Sequence, residues 1–376
     1  MSACSPRSLG CFAILLLAQW TQGQAATFCV STGVQLANAL ASAQSNGQSD
    51  EIKVTTGILR GTTQPFGNPR WRYEPAASDE ATALTLSGGW SAGNNCASQT
   101  IGTLLSQLDA EWQGPVLDFV PLIASFSGQV TVRNLTLARG RSFNDFGASG
   151  LRWTVTGTIA TQLLVEDVIV TSGSSSVQGV QSVRITQQGG GFIRFRNNVI
   201  SNNSATGSSS GGAAEIRAIS PAVGFVSNNS IFANQGTSQV SFGLGLGGVI
   251  TASNNAVANN TTTAAPPTFQ VFSSDGSGIT LRNNHFENML FTGGTFSEQG
   301  TTTGDPQWTG VGMVRLPNAV SPLRDSGVNN PSGGIASTDI EGNPRIISNV
   351  VDRGASEAAA NPGGLPDLIF QNGFEN

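Results

Sequence analysis

The stretch Ile193-Arg-Phe-Arg-Asn-Asn-Val-Ile-Ser-Asn202 decides how this chain folds. Ile193 and Phe195 alternate with Arg194 and Arg196, the period-two pattern of a strand with one apolar face. Asn197 and Asn198 interrupt it, and Asn enters the left-handed backbone region more readily than other residues that carry a Cβ. A sharp turn is therefore expected there, with Val199-Ile200 as a second short strand. The same pattern recurs as Val130-Thr-Val-Arg-Asn134-Leu-Thr-Leu, Leu163-Leu-Val-Glu-Asp167-Val-Ile-Val, Val223-Gly-Phe-Val-Ser-Asn228-Asn-Ser-Ile-Phe, Val249-Ile-Thr-Ala-Ser-Asn254-Asn-Ala-Val and Ile279-Thr-Leu-Arg-Asn283-Asn-His-Phe. Successive marker residues Asn134, Asp167, Asn197, Asn228, Asn254 and Asn283 lie 33, 30, 31, 26 and 29 apart. A further strand-like piece precedes each later copy: Leu151–Val155, Val183–Ile185, Glu215–Ile219, Val240–Leu244 and Phe269–Phe272.

A repeat of about three short strands cannot bury its apolar face alone. Stacked ~4.8 Å apart, the copies share one core, and equivalent strands then run parallel. The connection preference of parallel strands makes such a coil right-handed. The expected fold is thus all-β, a right-handed parallel β-helix. Ile200, Ile231, Val257 and Phe286 occupy matching places and should form one apolar ladder inside it. Asn side chains at the turns should hydrogen-bond from copy to copy. A propeller or sandwich is the competing fold, but it needs hairpins, and Asn-Gly or Asp-Gly turns are nearly absent.

Upstream, Thr32-Gly-Val-Gln35 reads as a capping box. Val34, Leu36, Ala37, Leu40 and Ala41 continue at helical spacing, predicting a helix over 33–45 that covers the open end of the stack. Glu51–Thr55 alternates as a first strand. Residues 1–26 read as a signal peptide, with Arg7, the apolar run Leu9 to Ala18 and a small-x-small site at Gly23-Gln24-Ala25. That run is too short for a permanent membrane span, and no Cys follows it at a lipoprotein position. The expected location is therefore exported, secreted or at a bacterial cell surface. Cys4 and Cys11 leave with the signal, so Cys29 and Cys96 either form one disulfide or remain as two free thiols. The organisation expected is signal 1–26, β-helix 27–357, and an Ala/Pro/Gly-rich linker with a tail motif at 358–376.

Of 376 residues 47 are Gly and only 11% are charged, with Lys53 the single lysine. A net charge of −5 gives no case for nucleic acid. Between Gly114 and Phe296, nine Arg face seven acidic residues, so the central shaft is close to neutral.

Three places resemble the secreted right-handed β-helix repeat proteins, pectin-lyase-like in architecture. Cys29 to Leu36 with Ile52 to Gly57 resembles their cap helix and first strand, and the Asn-Asn copies resemble their central repeats. Asp305-Pro306, Val314-Arg-Leu316, Ser321-Pro322, Asp325-Ser-Gly327, Asp339 to Arg345 and Asp352 to Glu357 resemble terminal rungs of the choice-of-anchor type. Residues 60–115 match poorly. The tail Asp367 to Glu375 resembles a short C-terminal motif of exported proteins in some Gram-negative bacteria. Lyases of this architecture use clustered Asp for Ca²⁺ with an Arg or Lys base, and its polygalacturonases use several close Asp. Neither pattern transfers. Glu166 and Asp167 are the only adjacent acids in the shaft, and alternation sends them to opposite faces.

No cofactor and no metal site is expected. His285, the only histidine, shares the column of Val199, Ser230 and Ala256, read as outward. With Glu287 on the same side and Arg282 nearby, it is the one candidate for base-and-orienter chemistry. Arg152, Arg184 and Arg217 lie on successive leading strands, each between apolar neighbours, and should project outward as a column. Guanidinium forks suit carboxylates and hydroxyl-rich polymers. A second column runs through Arg133, Glu166, Arg196 and Arg282. Trp71, Trp90, Trp112 and Trp308 lie outside the regular copies and suit either sugar stacking or burial under loops. The leading expectation is a surface protein that binds carbohydrate polymer or an envelope component along its shaft. The rivals are a polysaccharide lyase or hydrolase with a non-standard site around His285, and a structural or adhesive rod.

Overall fold

A computed structural model describes residues 25–358, apart from short breaks at 62–63, 80, 103–104, 121–125, 144–146, 156–159, 176–180, 206–211, 237–241, 263–268, 273–277, 293–294 and 311. All but the last two residues of the expected signal peptide 1–26, and the expected tail motif beyond 358, lie outside the described residues. The chain is all-β and mainly parallel, as a parallel β solenoid would be. Among the described residues the one α-helix is Gly33–Ala43. The capping box forms as expected: Thr32 Oγ1 accepts from the Gln35 amide at 3.2 Å and Gln35 Oε1 from the Thr32 amide at 3.1 Å.

Most strands fall into four stacks; Phe269–Phe272 with Met289–Thr292 forms a separate parallel pair, and Trp308–Thr309 with Leu316–Pro317 an antiparallel one. Stack I, the leading one, contains Trp71–Tyr73, Leu117–Phe119, Ala148–Val155, Gln181–Gln188, Ala214–Ile219 and Phe242–Leu246. Stack II runs from Ala26–Val30 and Asp50–Thr55 through Gly191–Arg196 and Val223–Ser227 to Thr295–Gln299. Stack III follows the Asn turn and includes Val199–Ser201, Ser230–Phe232, Ala256–Val257 and His285–Phe286. Stack IV is a row of two-residue strands, among them Arg141–Ser142, Ser174–Ser175 and Ser204–Ala205. Every pairing within these stacks is parallel. The stacking begins well before residue 116, since Gly57–Arg60, Trp71–Tyr73, Ala83–Trp90 and Ser106–Asp109 all take part.

Inward residues of stacks I, II and III form one buried apolar cluster. Ile200 pairs with Ile231, Ile231 with Val257 and Val257 with Phe286, and all four are fully buried. Each such side chain stabilises by roughly 1.5–3 kcal/mol. Tyr73, Phe119 and Trp153 extend the ladder inside stack I, with ring centroids 6.1 and 6.2 Å apart. Near the N-terminal end, Cys29 and Cys96 form a disulfide with Cα atoms 5.6 Å apart.

The Asn turns divide their work in a way the sequence reading did not separate. The marker residues Asn134, Asp167, Asn197, Asn228, Asn254 and Asn283 all adopt left-handed φ, between 50° and 58°. The ladder from copy to copy belongs to the residues after them. Asn198 donates to Asn229 at 3.0 Å, Asn229 to Asn255 at 2.8 Å and Asn255 to Asn284 at 2.9 Å. A second ladder, Asn203 to Asn234 to Asn260, lies one short strand further on at 2.9 and 2.8 Å.

The C-terminal segment departs from expectation. Residues 305–357 add no parallel rung and instead run back along the outside of stack III. Marker amides hold this strap: Asn283 donates to the Ser326 carbonyl, Asn254 to Val328, Asn197 to Thr338 and Asn228 to Asp352, at 2.9–3.3 Å. Val314, Ile340 and Ala355 cover Ile169, Val199 and Phe232 in a second apolar cluster. The physical cause is the outer face of stack III, which carries apolar side chains that need a cover.

Candidate ligand-binding face

Alternation along stack I sends Leu151, Trp153, Val183 and Ile185 inward and Arg152, Thr154, Arg184 and Thr186 outward. Register places Asp118, Arg152, Arg184 and Glu215 in one outward column. Arg217 is not in it. It pairs with Thr186, one column along. The spacing from the turn markers carried part of this signal: Arg152 follows Asn134 by 18 residues, Arg184 follows Asp167 by 17 and Glu215 follows Asn197 by 18, whereas Arg217 follows Asn197 by 20.

The three arginines nevertheless meet a shared set of acids. Arg152 grips Asp118 with two prongs, Nε to Oδ1 at 2.6 Å and Nη2 to Oδ2 at 2.7 Å. Arg184 turns the other way, to Glu215 at 3.2 Å, and Arg217 pairs with the same Glu215. At the N-terminal end of the face Arg72 lies 3.0 Å from Glu74 and 3.7 Å from Asp118. Among the described residues four guanidiniums thus face three carboxylates, and Arg184 and Arg217 share one. Their side chains keep 31% and 29% of their surface exposed. Ion pairs this open hold by about 0–1 kcal/mol, so an incoming carboxylate can exchange partners cheaply. Thr154 and Thr186 supply half-exposed positions in the adjoining column.

The second outward column, on stack II, is in register through Arg133, Glu166 and Arg196, then Ser227, Ser253 and Arg282. Glu166 pairs with Arg196 through Nε at 2.7 Å. Asp167, its neighbour, occupies the turn column and receives the Asn197 amide. Burial and the Glu166 charge push the Asp167 carboxyl up to about 7.

His285 keeps its column with Ala256 but does not face a groove. It is fully buried, with Nδ1 2.9 Å from Thr302 Oγ1 and Nε2 2.9 Å from the Gly304 carbonyl. The Gly304 carbonyl can only accept, so Nε2 carries a proton; in the neutral ring Nδ1 then accepts from the Thr302 hydroxyl, to whose oxygen Arg353 also donates at 2.6 Å. Burial lowers the imidazole pKa below its ordinary value. Glu287 points elsewhere and accepts the Asn259 amide at 2.7 Å. His285 is therefore a packing post beneath the strap, which sequence could not show because the cover comes from residues 302–353. Of the tryptophans, Trp71 is buried, Trp90 lies against Lys53 at 4.1 Å, Trp308 packs on Phe232, and Trp112 is exposed. Among the described residues no group of three His, Cys, Asp or Glu could hold a metal ion, and no helix is long and apolar enough to cross a membrane.

No family model matches the chain, and no curated protein matches it. Among solved structures it is similar to an alginate lyase from Paenibacillus sp. str. FPU-7, at 13% identity and a TM-score of 0.26, over 74% of this chain and 95% of that one. A likeness that slight bears on neither fold detail nor chemistry. The features in hand define a class only: an all-β protein of stacked parallel strands whose leading face carries a cation-rich row of ion pairs.

Proposed function

We propose that the protein is an exported right-handed parallel β-helix whose leading face, through Arg152, Arg184 and Arg217, binds an anionic polysaccharide or envelope polymer without cleaving it. The parallel registers and the preferred hand of parallel crossovers support the coil. The N-terminal pattern and the disulfide support export. The observation that carries the binding reading is the convergence of Arg184 and Arg217 on the single carboxylate of Glu215, so that among the described residues two half-exposed guanidiniums share one carboxylate. A polymer carboxylate completes that set with charge-assisted, two-pronged hydrogen bonds. The test is a glycan array of anionic and neutral polysaccharides with an Arg152→Ala, Arg184→Ala, Arg217→Ala triple variant beside the parent. Binding to carboxylated polymers, lost in the variant and weakened by salt, is expected. An array without signal, or equal binding by the variant, ends the proposal.

A further inference from the structure

A cleft of about 360 Å³ opens where the helix meets the first strand of stack I. Its apolar side is Ala37, Ala41, Pro69 and the buried Trp71, whose indole N–H is fixed on the Gly33 carbonyl at 3.0 Å. Its polar side is made of Gln44, Gln64, Asn68, Arg72 and Glu74. The volume falls within the range of small-molecule sites, and an apolar floor with a few polar groups is how such sites hold one ring. Local structure keeps the cleft in shape. Arg70, a buried member of its lining, donates to the carbonyls of Gly61 at 2.9 Å, Gln64 at 2.8 Å and Asn68 at 3.1 Å. The Glu74 amide donates to Gln44 Oε1 at 3.3 Å and ties the strand to the helix end.

The cleft is continuous with the leading face. Arg72 forms part of its wall with Glu74, and the same guanidinium lies 3.7 Å from Asp118, which Arg152 grips one strand further on. From this continuity we infer that the cleft between the helix and residues 64–74 receives the terminal sugar of a uronate-bearing chain whose body lies along Arg152, Arg184 and Arg217. The inference rests on the binding reading above and adds recognition of a chain end. Amides, one guanidinium and one carboxylate around a small-residue floor match the hydroxyls and ring face of a single sugar. The helix packs against Trp71–Tyr73 at one end of the face, and on this proposal the chain begins there.

A glucuronan hexasaccharide, rich in ends, and long glucuronan, poor in them, separate the two ideas. Binding is measured by calorimetry on the whole protein with Ala41→Trp, which fills the cleft from an exposed helix position, and with Gln64→Ala/Asn68→Ala, which removes two amides from its polar side. Both variants should weaken the hexasaccharide by about tenfold and leave long glucuronan within about twofold, while the triple Arg variant loses both ligands. Long polymer bound without hexasaccharide, or hexasaccharide binding unchanged in both cleft variants, overturns the cleft assignment and leaves the face intact. Failure of the parent to bind either ligand overturns the face and the cleft together. Melting curves matching the parent show that each variant is folded, and the second variant stands if the first does not fold.

Discussion

Replacing Asn229 by Ala tests whether the buried amide ladder holds the stack together. The side chain is fully buried. It donates to the Phe195 carbonyl at 3.0 Å and to Asn255 Oδ1 at 2.8 Å, and accepts from the Asn198 amide and from Asn198 Nδ2, both at 3.0 Å. Two of its partners keep other bonds: Asn198 Nδ2 still reaches the Val165 carbonyl at 3.1 Å, and Asn255 Oδ1 still accepts the Asn229 amide at 3.1 Å. The Asn198 amide and the Phe195 carbonyl lose their side-chain partner inside the protein. At ~1–3 kcal/mol for each buried group left short, and with a small void added, the expected cost is about 3–5 kcal/mol. Urea unfolding followed by circular dichroism measures the total. Native-state hydrogen exchange at Asn198 locates it, because stability in a stacked array is carried by neighbouring interfaces. Asn284 ends the ladder with three side-chain bonds, to Ala252 and from Asn255. Its Ala variant should cost less. A loss below ~1 kcal/mol at Asn229, or a larger loss at Asn284, would refute the reasoning.

Asp167 stands in a column otherwise made of Asn, with its carboxyl raised to about 7 by burial and by Glu166. Between the unfolded value near ~3.9 and about 7 the folded state holds a proton that the unfolded chain has lost. Its contribution is therefore complete at low pH and is lost as pH rises through that window. Asp167→Asn should flatten the fall and stabilise at pH ~8 by at most ~4 kcal/mol, read as the shift in urea midpoint between pH ~4.5 and ~8. Equal midpoint shifts in parent and variant count against it. The Cys29–Cys96 bridge spans 67 residues, so a Cys29→Ser/Cys96→Ser variant should lose about 4 kcal/mol in the chain-entropy model. Melting with and without reductant checks this, since only the parent should respond. Arg152→Ala strips the buried Asp118 carboxylate of its two-pronged partner and should cost several kcal/mol, whereas the Arg184→Ala/Arg217→Ala double variant should keep the parent's stability within about 1 kcal/mol, because those guanidiniums are half-exposed. A collapse in stability of the double variant would mean that any loss of binding had a structural origin.

The local rules carried much of this fold. Ile193 to Asn202 holds in ten residues both the period of a strand and the residue type that tolerates a left-handed turn. Each is a preference of neighbouring atoms, so reading them along the chain places the strands, the turns, the inward ladder and the capping box before any contact is known. The second amide ladder was legible too, in Asn-Asn pairs repeated five residues on at 197–198 and 202–203. The candidate face was legible in its residue types and outward direction, but not in its partners. Arg217 sits a column away from Arg184 because register depends on how many residues each copy spends between its turn and its next strand.

What tertiary structure alone decided lies at long range. The outward column of Val199, Ala256 and His285 reads as surface until residues 302–357 fold back over it, joined by contacts such as Asn197 to Thr338 across 141 positions. The same applies to the acids: Asp118 and Glu215 look like isolated charges in sequence and become the shared partners of four arginines once the strands stack. Conformational preference acts within a few residues and is written in them. Burial, register and charge pairing depend on which distant segments meet, and only the assembled stack settles that.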